Sequence, residues 1–191
     1  PYTAECENEM LMTGAGQKKD TAYFDLFLHP AIQSQRHLNY LSRGKKLIEL
    51  YAEALGLGIG NQYLQELFYP LEHQRYILIH ASSGMQSKNY SYYDEALDIL
   101  HPIMEQNNIK MIQIGGEKDH PLKHCIHLQG KTTLYQTNYL LSRALLLIGN
   151  DSFTQHRAGF LGIPQIGLYG ATSVQNHGPY IRNVRSIFLE A

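Results

Sequence analysis

Several large protein classes are excluded by what this chain has little of. Only two of its 191 residues, Cys6 and Cys125, are cysteines, too few for a disulfide framework and in keeping with a reducing, cytoplasmic setting. No apolar run approaches the roughly 18 residues that a transmembrane helix requires, and no signal-peptide pattern is visible at the start. Neither sign of charge dominates. Sixteen basic residues face seventeen acidic ones, with a net charge of −1 and a pI near 6.9, so nothing points to nucleic acid or to an anionic membrane. Tryptophan is absent although tyrosine occurs fourteen times. That imbalance carries no functional meaning. What remains is ample for a core, because 43% of the residues are hydrophobic, and the length suits one domain or one domain with an appendage. The chain opens on Pro1 rather than Met, so a piece of a longer protein is expected.

Residues 1 to about 35 are weakly patterned, with Tyr23 to Leu28 as one candidate strand ended by Pro30. From Arg36 to Leu55, apolar residues at Leu38, Leu41, Leu47, Ile48, Tyr51 and Leu55 recur at helical spacing. Gly44 interrupts that pattern, and Gly56 is a suitable C-cap. The run Gly56-Leu57-Gly58-Ile59-Gly60 imitates a dinucleotide loop, but it follows a helix rather than a strand and reads as a linker.

Beyond Gln74 strands and helices alternate. Arg75–Ala81 is a buried-type strand that ends in the polar loop Ser82 to Lys88. Ser91, with Asp94 three residues on, predicts a capping box for the next helix. Its apolar face is Tyr93, Ala96, Leu97, Leu100, Ile103 and Met104, and Pro102 is expected to kink or shorten it. A second strand covers Lys110–Ile114 before Gly115-Gly116-Glu117, and a helix covers about Leu134–Arg143. The apolar run Ala144–Ile148 then stops at Asn150-Asp151-Ser152, a helix start, and a last strand, Gln165–Tyr169, ends in Gly-Ala-Thr-Ser. This alternation predicts an α/β fold with a doubly wound parallel sheet from about residue 75 onward. Ligands of such sheets bind outside the carboxyl ends of the strands, where a helix N-terminus suits a phosphate.

Rival chemistries are weaker. Gly130-Lys131-Thr132-Thr133 lacks the first glycine of a P-loop, whose place is held by Cys125. His120, His124, Cys125 and His127 have no second ligand group to match, and they read better as a polar loop leading into a short strand than as a zinc site. No G-x-S-x-G elbow exists, and Ser152, between Asp151 and Phe153, lacks the glycine turn of a nucleophile. Lys88 shares a sheet edge with Asp151 and Ser152, where its ammonium can meet a phosphate as a point charge. His156, one turn into the helix, is either a packing residue or a donor to a ligand oxygen.

Taken in order, these residues resemble the heptosyltransferase family (glycosyltransferase family 9), which transfers sugars, typically heptose from ADP-heptose, onto lipopolysaccharide-type acceptors. The elements that carry the resemblance begin with Ile77 to Ser83 followed by Lys88, Gly115-Gly116-Glu117, and Leu128-Gln129-Gly130. They continue through Gly149-Asn150-Asp151-Ser152 with His156, Gly162-Ile163-Pro164, Leu168 to Ser173, and Gly178-Pro179. The span is about residues 75 to 180. It implies a GT-B architecture, two Rossmann-like domains across a cleft, with this chain carrying the C-terminal, donor-binding half at 75–191. Residues 1–74 would be an incomplete acceptor-side segment with a linker helix.

By position, Lys88 is similar to the lysine that reaches the donor diphosphate and stabilises the leaving group. Ser82 and Ser83 would line the same site, and Glu117 would approach the nucleoside. Asp151, Ser152 and His156 match the family's D-[ST]-G-x-x-H signature. Asp151, an anion, is assigned to helix capping or sugar contact. The signature's glycine is Phe153 here, and its bulk is expected to crowd backbone N–H groups away from a diphosphate. The resemblance implies no cofactor and no metal, a nucleoside-diphosphate sugar (ADP-heptose-like) as substrate, and a glycan or lipid-linked acceptor. The general base would lie outside this chain, supplied by a missing N-terminal domain or a homo-oligomer, so little transfer is expected from the chain alone. The alternative is a non-catalytic module that binds a nucleotide sugar or a protein partner.

Overall fold

A computed structural model describes residues 63–181 and 183–190, together with 45–46, 48–49, 52 and 56–60. Two compact units divide between Gly60 and Asn61. In the first, Ile48, Glu49 and Ala52 are helical. Gly56 adopts φ +64° and Leu57 N–H donates to Ala52 O at 2.9 Å, the left-handed stop expected of a glycine C-cap. The candidate strand at 23–28 and most of the 36–55 helix lie outside the described residues.

The second unit is built on six strands, all pairing in parallel. They are β1 (Tyr76–His80), β2 (Lys110–Gln113), β3 (Ile126–His127), β4 (Leu147–Asn150), β5 (Gln165–Tyr169) and β6 (Ile187–Glu190). Their order is β3-β2-β1-β4-β5-β6, the Rossmann arrangement. Successive β1 side chains go to opposite faces, as strand geometry requires. Tyr76 and Leu78 join Ile112, Leu140, Leu141, Leu147 and Ala158 on one side, while Ile77 and Ile79 join Tyr93, Leu97 and Met111 on the other. Both faces are therefore dry. That explains why β1 is buried throughout and reads as an uninterrupted apolar run rather than an alternating one.

Helix α1 (Tyr93–Gln106) covers the second of these faces, and α2 (Leu134–Arg143) and α3 (Phe153–Phe160) cover the first. A four-residue helix, α4 (Val174–His177), precedes β6. Helix α2 has the predicted bounds, and its start is set by a capping box: Thr133 Oγ1 accepts from Gln136 N–H and Gln136 Oε1 accepts from Thr133 N–H. The Ser91 capping box does not form. The N-cap of α1 is Tyr92 without a side-chain cap, because Asp94 Oδ1 instead accepts the backbone N–H of Lys123 at 2.8 Å. Pro102 does not end α1 either. The helix continues to Gln106, four residues past it. Ile103, expected on the packed face, is 51% exposed. Along α2 runs the segment 63–71, where Gln65 O accepts from Asn138, Glu66 pairs with Arg143, and Phe68 sets its ring edge-on to Tyr139.

Candidate active site

The chain moves outward in one direction through β1, β2 and β3, then returns to the centre at β4 and moves outward in the other. At that reversal the loops following β1 and β4 part to opposite faces and leave a crevice. Here it is a cavity of about 460 Å3 lined by Ser82, Ser83, Gly84, Met85 and Lys88 after β1, by Gly116 and Asp119 after β2, by Asp151, Ser152 and Phe153 after β4, and by His80 at its floor. Ser82, Ser83, Lys88, Asp151 and Ser152, named from sequence, are thus brought together. Glu117 and His156 are exposed and lie outside this lining. Glu117 stays in the neighbouring loop, where its Cα and Cβ pack over Gly130 so closely that a Cβ there would come within 2.9 Å of both.

Sequence places the loops and structure sets their charges. Lys88 closes a single 3-10 turn, Gln86–Lys88, and its Nζ donates to Asp151 Oδ2 at 2.7 Å. Thr172 Oγ1, from the loop after β5, donates to the same oxygen at 2.6 Å. Asp151 is only 4% exposed, so this carboxylate is compensated by a cation and a hydroxyl, as burial demands. Its Oδ2 therefore serves Lys88 and Thr172 rather than the helix end. The loop is shaped by Asn89, whose Oδ1 accepts Ser83 N–H at 2.8 Å, and by Asn150, whose Nδ2 donates to Ala81 O.

His80 was not found from sequence. It is 5% exposed, and its Nδ1 lies 2.9 Å from Ser152 Oγ and 2.9 Å from Thr154 Oγ1, which are themselves 2.9 Å apart. Burial pushes its pKa below the ordinary 6.5, against the pull of Asp119, so the ring is neutral at pH 7. Ser152 occupies the N-cap position of α3 with extended backbone, yet its side chain does not cap. Its hydroxyl goes to the His80 cluster instead. Phe153, first residue of α3, is 41% exposed and sets its ring edge-on to His80 at 5.5 Å between centroids. A smaller cavity of about 230 Å3 shares His80, Gly116 and Phe153 with the first and reaches Thr132, Leu134, Thr137 and Thr154. The one signal available was a histidine closing an otherwise apolar strand.

Gly115 makes the turn out of β2. At φ +147° it occupies a region open essentially to glycine, and a Cβ would lie 2.1 Å from Asp119 Oδ2. Asp119 Oδ2 accepts Gly116 N–H at 2.8 Å, which fixes this wall of the crevice. The histidines of 120–127 disperse. His124 pairs with Asp98 and stacks on His101, His127 bonds Leu122 O, and His120 stands 4.0 Å from Asp94. Burial raises the Cys125 thiol pKa to about 12, so it is a protonated packing group. Among the described residues no three His, Cys, Asp or Glu side chains form a metal-holding group.

Strand order 3-2-1-4-5-6 with a crevice at the reversal defines a Rossmann-like α/β domain. Residues 12–191 match the family model described as glycosyltransferase family 9 (heptosyltransferase), and the chain belongs to that family. No curated protein matches. Solved structures that share the fold include the family 9 glycosyltransferase of Veillonella parvula, at 21% identity and TM-score 0.58 over 75% of this chain and 47% of that one. E. coli heptosyltransferase WaaC with ADP aligns at 18% identity and TM-score 0.53 over 75% and 48%. The iron-containing dodecameric glycosyltransferase TibC of enterotoxigenic E. coli aligns at 17% identity and TM-score 0.58 over 75% and 40%. The chain thus spans less than half the length of each of these proteins. No described helix is long and apolar enough to cross a membrane.

Proposed function

We propose that residues 75–191 are the donor-binding half of a GT-B glycosyltransferase that takes a nucleoside-diphosphate sugar, ADP-heptose-like, and transfers the sugar to a lipopolysaccharide-type or other glycan acceptor. The observation that carries this reading is the meeting of Lys88 with the N-terminus of α3 around one crevice at the sheet reversal, in a chain of family 9. The ADP bound by WaaC makes adenosine diphosphate the first nucleotide to try.

In this reading an acceptor hydroxyl gives up its proton to a base outside this chain and attacks the anomeric carbon, the C–O bond to the diphosphate breaks, and negative charge accumulates on the departing β-phosphate. Lys88 Nζ moves from Asp151 to that phosphate. The α3 N–H groups, left uncapped by Ser152, meet its oxygens. The helix end is fixed in advance, and both contacts strengthen as charge develops, which is how such groups lower a barrier. Ser82 and Ser83 hydrogen-bond the sugar-phosphate side. Glu117 and His156, outside the crevice lining, contribute through the longer reach of a nucleoside or sugar. Calorimetry against ADP-, UDP- and GDP-sugars tests the reading: one of them binds, with a free-energy preference for its base, and silence across all three overturns it.

A further inference from the structure

His80 has no part in the chemistry above, yet it sits at the centre of the crevice floor. It ends β1, in register with Gly149 of β4, at the two strands that flank the reversal. Two groups lie on its two edges. On the Nδ1 edge stand the Ser152 and Thr154 hydroxyls, each at 2.9 Å. Near the opposite, Cδ2 edge lies the Asp119 carboxylate, since a Cβ on Gly115 would touch both His80 Cδ2 at 3.3 Å and Asp119 Oδ2 at 2.1 Å, and its charge acts on the ring. A neutral imidazole carries one proton and one lone pair. A carboxylate favours the proton on its own side, and two hydroxyls need an acceptor on theirs. Thr154 is wholly buried, so its hydroxyl must be satisfied within this cluster.

We propose that His80 is a positioning residue: protonated on Nε2, it accepts at Nδ1 from one hydroxyl of the Ser152–Thr154 pair, which accepts from the other, and this ring of bonds holds Ser152 off the end of α3 so that the diphosphate can take its place. Ser152 is of a residue type that normally caps a helix. Here its hydroxyl is withdrawn from that task, and the Phe153 and Thr154 N–H groups stay open to an anion, while Gln155 N–H donates to Ser152 O at 3.1 Å. The role in donor binding rests on the function proposed above. The tautomer does not. Lys88 and Asp151, the other charged groups lining the crevice, compensate each other at 2.7 Å.

Two measurements on the full chain decide the matter. Two-bond 1H–15N spectra of 15N-labelled protein without nucleotide, with the His80 signal assigned by its loss in His80→Asn, read the tautomer. A neutral ring protonated on Nε2 at pH 7 is expected, and a proton on Nδ1 overturns the proposal. Calorimetry with ADP reads the coupling. The Asn terminal atoms, like Nδ1, are bonded to Cγ and fall near it, whereas those of Gln reach the Nε2 position. His80→Asn therefore keeps affinity within about threefold, while His80→Gln, which frees the Ser152 hydroxyl to cap α3, weakens it about tenfold, the scale of one hydrogen bond to a charged group. In the double variant His80→Gln/Ser152→Ala no hydroxyl is left to cap α3, so affinity returns to within about threefold of wild type instead of falling further. A double variant as weak as His80→Gln or weaker, or rescue by Gln and not by Asn, would overturn positioning and assign a direct Nε2 contact. If the wild-type chain binds none of ADP, UDP and GDP, the donor-site reading falls and takes this role with it. Bound nucleotide with no recovery in the double variant removes the role alone.

Discussion

Replacing Lys88 with Met separates two jobs that one ammonium performs. In the resting site Lys88 compensates a carboxylate that is 4% exposed, while its own side chain is 18% exposed. Removing one member of a buried pair costs about 3–5 kcal/mol when the other charge is stranded. Thr172 still donates to Asp151 Oδ2, and Lys88 is not fully buried. A loss near the lower end, about 3 kcal/mol of folding stability, is therefore expected. The second job, in the function proposed above, is the contact with the diphosphate, worth about 1–3 kcal/mol, or about 5- to 150-fold in Kd. A second change distinguishes them. Asp151→Asn in the Lys88→Met background removes the stranded charge and leaves Thr172 an amide oxygen to bond. Urea denaturation should then show most of the lost stability restored, while calorimetry with ADP should show affinity still depressed. Recovery of both stability and affinity in the double variant would refute the phosphate-binding role, since Lys88 would then act only by neutralising Asp151. Undiminished affinity in Lys88→Met itself would refute it more simply.

Phe153→Gly should tighten ADP binding by opening the α3 terminus, at a helix cost of about 1 kcal/mol; weaker calorimetric binding by a folded variant would place the ring in the site as built. Because burial lowers the His80 pKa below 6.5, the unfolded chain takes up the proton first, so this residue's stability contribution is full above pH 6.5 and is lost as pH falls from there toward its lowered value. Denaturation of wild type and His80→Asn at pH 7.5 and 5.5 checks this, and the wild type should lose more. Tyr76 donates to Leu140 O at 2.8 Å in the core; Tyr76→Phe should cost about 1–2 kcal/mol in urea denaturation with an unchanged m-value.

The doubly wound fold was legible because strands buried on both faces leave long apolar runs. Tyr76–His80 and Gln165–Tyr169 stand out for that reason, and α2 carries its own start in Thr133 and Gln136. The sheet margin at β6 was not legible, whereas the short strand β3 was. β6 pairs with β5 alone and exposes Ile187 and Leu189, while α4 has four residues, so neither leaves a periodic trace. The Ser91 cap failed because its expected partner, Asp94, is claimed from 29 residues away by Lys123. Distance along the chain also hid much of the site. Lys88 and Asp151 could be matched to one sheet edge from the pattern, but their neutralisation of each other could not. Thr172, Asp119 and His80 join only through the strand order.

The reversal between β1 and β4 also bears on how such a site changes over generations. The two strands that flank the crevice are locked by parallel neighbours on both sides, so their ends are rigid anchorages whatever is hung on them. The loops 82–88 and 151–153 carry the ligand-facing groups and contribute little to the buried sheet. If these loops bind the donor as proposed, substitutions there would retune which sugar nucleotide is accepted while the frame keeps its stability. Phe153, standing where its family keeps glycine, is the kind of experiment such a frame permits.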